Sequence, residues 1–240
     1  DSNSKARLGR LVTSHGVVET PCFMPVGTQG TVKAVLPRDL RELGCQILLG
    51  NTYHLYLRPG HELIRQLGGL HRFMSWDGPI LTDSGGYQVL SLGGMREITE
   101  DGARFQSHLD GSSHLLTPEK AVEIQEALAS DIAMVLDECI PHDAARAYVR
   151  DSTERTIRWA KRCLEARGKA DHEADHKADH KTDQMMFGII QGGMFEDLRR
   201  RCVDEIAPMA FDGFAVGGLG VGEGEERLNS VGGFTVQLLP

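Results

Sequence analysis

The chain has 240 residues, 40% of them apolar, enough to bury a sizeable core in one α/β domain or in two smaller ones. A formal net charge of -8 excludes general electrostatic attraction to a polyanion, so any nucleic-acid contact needs a local basic patch such as Arg199-Arg200-Arg201. The five cysteines (Cys22, Cys45, Cys139, Cys163, Cys202) are odd in number, widely spaced and without zinc-ligand spacing, which reads as reduced buried thiols of a cytoplasmic protein. No apolar run approaches the roughly 18 residues of a membrane span.

In chain order, Leu8 to Thr20 reads as a hairpin turning at Ser14-His15-Gly16, followed by a first inner strand over Pro21 to Val26. Pro37 to Leu43 predicts a short helix with Leu36, Leu40 and Leu43 on one face. A second strand runs to Asn51 and gives way to a polar loop, Asn51 to Leu55, before a helix over Gly60 to Leu67. Pro79 to Thr82 forms a third strand. After Gln88 the pattern is not helical: Asp101-Gly102 and Asp110-Gly111 flank Arg104 to Leu109, which predicts small hairpins inserted over 89–116. Thr117-Pro118-Glu119 then opens a helix whose inner stripe is Ala121, Ile124 and Leu128.

A fourth strand carries Asp137. The helix after it, Ser152 to Ala166, turns Ile157, Ala160 and Leu164 inward and a basic set (Arg155, Arg158, Lys161, Arg162) outward, a face to be read as solvated or, less simply, as an RNA contact. Within 167–184 an Ala-Asp-His repeat of period four would stack His172, His176 and His180 if helical; it reads as a low-complexity surface segment rather than a metal site, because no apolar surroundings would hold the rings. A fifth strand ends at Gln191, a helix follows with Phe195, Leu198, Cys202 and Ile206 facing in, and a sixth strand ends at Gly217-Gly218. Gly222, Gly224, Gly232 and Gly233 predict a loose tail.

The common feature is that apolar runs of strand length end abruptly in polar chemistry: Asn51, Asp83-Ser84, Asp137-Glu138 and Gln191, with bare backbone at Gly217-Gly218. Taken alone, Asp83 and Ser84 would cap a turn. Their recurrence at strand ends points instead to an α/β fold, a (β/α)8 TIM barrel of which about six strand-helix units are present in a single domain over 1–240. A doubly wound open sheet, the competing architecture, concentrates such residues at one switch point. Two carboxylates (Asp83, Asp137), the Gln191 amide, the Gly217-Gly218 backbone and the Tyr87 ring are complementary to the edge and face of guanine or a similar heterocycle.

The ordered motifs Glu19-Thr20-Pro21, Met24 to Lys33, Leu49 to Leu55, Thr82 to Gln88, Ser107 to Ser112, Asp137-Glu138-Cys139, Gln191-Gly192 and Ala215 to Leu219 resemble the tRNA-guanine transglycosylases, or queuine tRNA-ribosyltransferases, of bacterial type. The resemblance implies a pentosyltransferase that exchanges the guanine at the anticodon wobble position of tRNA for a queuosine precursor, 7-aminomethyl-7-deazaguanine, through a covalent ribosyl-enzyme intermediate. It implies Asp83 as general acid/base, Ser84, Gly85, Gly86 and Tyr87 as wall and stacking surface, and Asp137 as reader of the purine N–H groups. Gln191 and the Gly218 amide are implied as donors to its carbonyl oxygen, and the Leu219 carbonyl as acceptor for the aminomethyl group.

The family's nucleophilic aspartate, on the eighth strand, its tRNA-holding basic segment and its zinc site of three cysteines and a histidine have no counterpart in these residues. The resemblance therefore implies Zn2+ and a homodimer for the full-length family, and a chain that is inactive by itself. A non-catalytic accessory subunit or tRNA- or nucleobase-binding homologue, a relative acting at another tRNA position, and an unrelated barrel enzyme acting on a free nucleobase or nucleoside are the alternatives.

Overall fold

The computed structural model describes residues 6–91, 96–175 and 183–240. In chain order the elements are β1 (Gly9–Thr13), β2 (Gly16–Thr20), β3 (Val26–Gly27), α1 (Pro37–Glu42), β4 (Leu48–Gly50), α2 (Thr52–Leu57), α3 (His61–Gln66), α4 (Leu70–Met74), β5 (Ile80–Thr82) and α5 (Gly86–Ser91). There follow β6 (Arg96–Ile98), β7 (Ala103–Gln106), β8 (Ser113–Leu116), α6 (Pro118–Leu128), β9 (Ile132–Met134), α7 (Arg146–Asp175), β10 (Met185–Ile190), α8 (Glu196–Ile206), β11 (Gly213–Val216) and α9 (Glu225–Val236). The chain forms two compact units, one of Asp1–Asp83, Glu123–Ala133 and Thr182–Gln184, the other of Ser84–Val122, Met134–Lys181 and Met185–Pro240. Their boundary passes between Asp83 and Ser84 and again within β9.

In the first unit β3, β4 and β5 form a parallel ladder that continues to Ile132 and Ala133 of β9. Strands β4, β5 and β9 are short and largely buried, as parallel strands flanked by helices are, whereas Val26 of β3 is exposed. Thr82, fully buried at the end of β5, donates to Gln125 Oε1 (3.0 Å) and shares a 2.8 Å hydrogen bond with Ser130. The β1–β2 hairpin is antiparallel and turns at Ser14-His15, with Thr13 Oγ1 donating to the Gly16 carbonyl.

In the second unit β10 and β11 pair in parallel, and the Val135 amide, just past β9, donates to the Phe187 carbonyl of β10. Strands β6, β7 and β8 make a separate antiparallel sheet. Thr117 caps α6 as expected, its hydroxyl accepting from the Lys120 amide at 3.1 Å, and Ala121, Ile124 and Leu128 are buried.

Several expectations are corrected. Residues 52–57 are the helix α2, because Thr52, Tyr53 and Leu55 are buried rather than displayed on a loop. A further short helix, α5, begins at Gly86 and contains Tyr87. Of the α1 leucines only Leu40 is buried; Leu36 and Leu43 lie at the ends of a six-residue helix and are exposed. The glycine-rich tail contains a twelve-residue helix, α9, held by buried Val231 and Thr235. Helix α7 begins at Arg146 and runs to Asp175, well beyond the Ser152–Ala166 span. His176, His180 and the side chain of His172 lie outside the described residues.

One carboxylate ties the first unit together. Asp131, at the start of β9, accepts from the Ile80 amide (2.8 Å), His71 Nε2 (3.1 Å), His15 Nδ1 (2.8 Å) and the His15 amide (3.2 Å). It thereby joins the hairpin turn, α4 and the start of β5. Burial acts to raise its pKa, but the His71, His15 and Ile80 hydrogen bonds outweigh burial and hold it at about 2. Because the folded value is depressed, this stability is present above the unfolded carboxylate value and is lost as pH falls through the folded one. Asp131→Asn is expected to cost about 2 kcal/mol at pH 7. In urea titrations from pH 7 to pH 3, the gap between parent and variant should narrow below about pH 4, and a constant gap would contradict the assignment.

Candidate active site

The polar strand ends fall into two clusters, one in each unit. In the first, Asn51 and Thr52 follow β4 and grip Asp83, which follows β5. Asn51 Nδ2 donates to Asp83 Oδ2 at 2.5 Å and the Thr52 amide to Oδ1 at 2.9 Å, while the Thr52 hydroxyl donates to the Asp83 carbonyl at 2.5 Å. Both carboxylate oxygens are thus oriented by neutral donors, and Asp83 remains half-buried where Asn51 and Thr52 are buried. In the sequence Asn51 is marked as a polar strand end, but neither Asn51 nor Thr52 is given a place in the site. The signal for them was the abrupt ending of an apolar run in an amide and a hydroxyl.

In the second cluster Asp137, past the end of β9, is buried with Gln191, past the end of β10, and Ser84. Ser84 Oγ donates to Asp137 Oδ1 (2.9 Å), Gln191 Nε2 donates to Asp137 Oδ2 (2.6 Å), and the Gly86 amide donates to Ser84 Oγ (3.2 Å). A Cβ on Gly86 would stand 2.6 Å from the Asp137 carbonyl oxygen, so only glycine fits there. The Gln191 Oε1 atom is buried and has no hydrogen-bond partner among the described residues. Gly217 and Gly218 press against the same amide: a Cβ on Gly218 would lie 2.5 Å from Oε1 and one on Gly217 2.7 Å from Nε2.

Asp137 and Glu138 are consecutive buried acids with opposite surroundings. Glu138 is ion-paired to Arg155 and accepts from the Tyr148 hydroxyl. Asp137 has only neutral donors, so burial pushes its carboxyl above the usual range; the Gln191 and Ser84 hydrogen bonds oppose the shift without cancelling it, and the Glu138 charge adds to it. The structure therefore brings together Ser84, Gly86, Asp137, Gln191, Gly217 and Gly218 in one cluster and sets Asp83 in the other. Gly85 has φ +84°, the conformation glycine favours. Tyr87 is exposed on α5. Leu219 is half-buried, with its Cδ1 3.4 Å from where a Cβ on Gly232 of α9 would stand.

The basic residues are corrected most. Arg155 and Arg158 pair with Glu100 and Arg162 with Glu119, so acidic partners balance much of the charge on this face of α7, while Arg158 and Lys161 are exposed as in a solvated face. Arg199 is fully buried and Arg201 pairs with Glu154 and Glu205, which removes the triple-arginine patch. Arg200 lies over the Phe234 ring.

Two clusters of the described residues have the composition of metal ligands, His15 with His71 and Asp131, and His61 with Glu62 and Glu123. In the first the imidazoles are stacked 3.5 Å apart at 15°. Ring-nitrogen lone pairs lie in the ring plane, so two nearly parallel rings cannot both point at one ion. In the second, His61 stands 3.4 and 3.5 Å from two exposed carboxylates, and Arg65 pairs with Glu62. Neither contains a cysteine. Cys163 and Cys202 are buried thiols pushed up to about 12, far from the thiolate state that zinc binds. The described residues do not fit a three-cysteine, one-histidine zinc site.

Comparison with known proteins gives this geometry a context. The family model described as queuine tRNA-ribosyltransferase matches residues 1–240. The chain belongs to the queuine tRNA-ribosyltransferase family. Relatives of that name include the protein of Pelotomaculum thermopropionicum, 55% identical over 240 residues, which are 100% of this chain and 62% of that protein. The protein of Solidesulfovibrio magneticus is 56% identical over 238 residues, 99% of this chain and 61% of its own length. That of Halalkalibacterium halodurans is 54% identical over 237 residues, with 99% and 60% covered. The chain thus spans less than two thirds of the length of these relatives. Among the described residues no helix is long and apolar enough to cross a membrane.

The buried carboxylate gives a stability test. A raised folded pKa means that the folded chain binds the proton more tightly than the unfolded chain, so Asp137 lowers stability progressively as pH rises above the unfolded carboxylate value. In Asp137→Asn the new amide can donate to a turned Gln191 Oε1 while its oxygen still accepts from Ser84. Thermal melts from pH 4 to pH 7 should show Asp137→Asn gaining on the parent as pH rises. A gap that shrinks with pH would contradict a strained carboxylate.

Proposed function

We propose that this chain carries the base-recognition and proton-handling parts of a tRNA-guanine transglycosylase, a pentosyltransferase exchanging guanine at the tRNA wobble position for 7-aminomethyl-7-deazaguanine. The observation that carries the reading is the hydrogen-bonded set Ser84–Asp137–Gln191 with its orphaned Gln191 Oε1. A buried carboxylate that accepts only neutral hydrogen bonds is matched to neutral N–H donors, such as the N1–H and 2-amino group of guanine. When these take over Asp137 Oδ2, Gln191 Nε2 is released and can donate to the C6 oxygen together with the Gly218 amide. The ligand-free Asp137–Gln191 bond then holds both groups ready at little reorganisation cost.

Asp83 has the complementary task. Asn51 and Thr52 hold its carboxylate by neutral hydrogen bonds and fix its orientation, which suits a group that must accept and return a proton on the leaving base. Gly85 and Gly86 allow close backbone approach, Tyr87 supplies an exposed ring for stacking, and the Leu219 carbonyl accepts from the aminomethyl group of the precursor. The chemistry follows retaining glycosidases, in which one carboxylate attacks the sugar while another group manages the proton. The attacking aspartate that the family resemblance implies belongs to the part of the relatives that this chain does not span. No step of the proposal runs through zinc.

Isothermal titration of guanine should show binding to the parent chain and at least about a tenfold loss in Asp137→Ala, the consequence of removing a buried acceptor. Equal affinity in parent and variant would contradict the assignment. Incorporation of labelled guanine into tRNA is not expected from this chain alone; measurable incorporation would show that the nucleophile lies within it.

A further inference from the structure

Arg199 is the largest buried polar side chain whose place neither the proposed chemistry nor the ion-pair network explains. It stands in the first turn of α8, where a cation opposes the helix dipole, and it is fully buried. Its Nε donates to the Gly193 carbonyl at 2.8 Å, Nη2 to the Gly217 carbonyl at 2.9 Å and Nη1 to the Ile190 carbonyl at 3.4 Å. Among the described residues no carboxylate accepts from it; Glu223 acts through its charge, and burial pulls the guanidinium down to about 10, still protonated at neutral pH. A buried cation with only carbonyl partners is a costly way to fill space, and an apolar side chain of similar volume would pack with less desolvation.

What the guanidinium does that an apolar chain cannot is bridge two strand ends. Ile190 immediately precedes Gln191, and Gly217 immediately follows β11. The Gly217 amide also donates to the Ile190 carbonyl at 2.9 Å, so β10 and the turn after β11 are clamped by one backbone bond and one side-chain fork. The clearance at that turn is small: Gly218 adopts φ +66°, and any Cβ there would meet Gln191 Oε1. Gly192 shows the same tightness on the other side, since a Cβ on it would stand 2.6 Å from the Arg199 backbone nitrogen. One helical turn further along, Cys202 Sγ accepts from the Gln191 amide at 3.3 Å, so the inner face of α8 supports the backbone on both sides of the cluster.

We infer that Arg199 is a positioning residue: by holding the Gly217 carbonyl and the Ile190 carbonyl together, it sets the Gly218 amide against Gln191 and so sets how a base carbonyl is read. This rests on the assignment of Gln191 and Gly218 to the C6 oxygen. Arg199→Lys keeps the charge but replaces the fork with a single point donor, and Arg199→Met keeps the stem without charge. Both variants are compared with the parent by hydrogen exchange of the amides of 213–219 and by titration with guanine and with 2-aminopurine, which lacks both the C6 oxygen and the N1–H, so that only the change in its affinity from parent to variant is read.

In whichever variant retains a cooperative thermal transition, exchange should rise at least about tenfold at 217–219 and much less within α8. Guanine affinity should fall about tenfold while that of 2-aminopurine changes by less than about twofold. A purely structural arginine would raise exchange throughout α8 and β10 and weaken both bases equally, which would overturn the inference. Unchanged exchange at 217–219 overturns it as well. If the parent binds no guanine, the base-reading assignment fails, and the exchange pattern by itself decides whether Arg199 positions the turn.

Discussion

A carboxylate taken out of water and offered only neutral donors is the constraint on which the second unit depends. Glu138 is ion-paired to Arg155, but its neighbour Asp137 accepts from neutral groups, the Ser84 hydroxyl and the Gln191 amide. Such a group costs stability unless further N–H donors reach it, which is what the proposed base would bring. The surrounding architecture then has one task, to keep those donors in place. Gly86, Gly217 and Gly218 lack side chains because the Asp137 backbone and the Gln191 amide occupy the space where a Cβ would stand. Helix α8 turns Arg199 and Cys202 towards the same backbone rather than burying an uninterrupted apolar face.

The first unit solves a related problem differently. Asp131 is also buried, but stacked histidines and a backbone amide hold its pKa down, so it stabilises the fold where Asp137 strains it. Two aspartates six positions apart in sequence thus act on stability with opposite signs. The difference arises from their partners rather than from their degree of burial.

Much of this was legible before any coordinates. Apolar runs broken by Asn51, Asp83, Asp137 and Gln191 mark strand ends because a buried strand tolerates polar residues only where it emerges. The glycines at 86, 217 and 218 stand where close approach demands them. The side-chain pairings were not legible, because they join residues far apart in sequence. His15 meets Asp131 across 116 positions, and Arg162 meets Glu119 across 43. Local periodicity carries no trace of such contacts, so the α7 arginines and Arg199-Arg200-Arg201 read as surface charge. Helix α9 was obscured for another reason: Gly232 and Gly233 lower helix propensity, yet packing of Val231 and Thr235 outweighs them.

The most direct test of the central claim is a crystal structure of the chain with guanine bound. The account predicts N1–H and the 2-amino group on the Asp137 carboxylate, the Asp137–Gln191 hydrogen bond broken, and Gln191 Nε2 and the Gly218 amide at the C6 oxygen. Guanine bound elsewhere, or bound with the Asp137–Gln191 hydrogen bond intact, would contradict it.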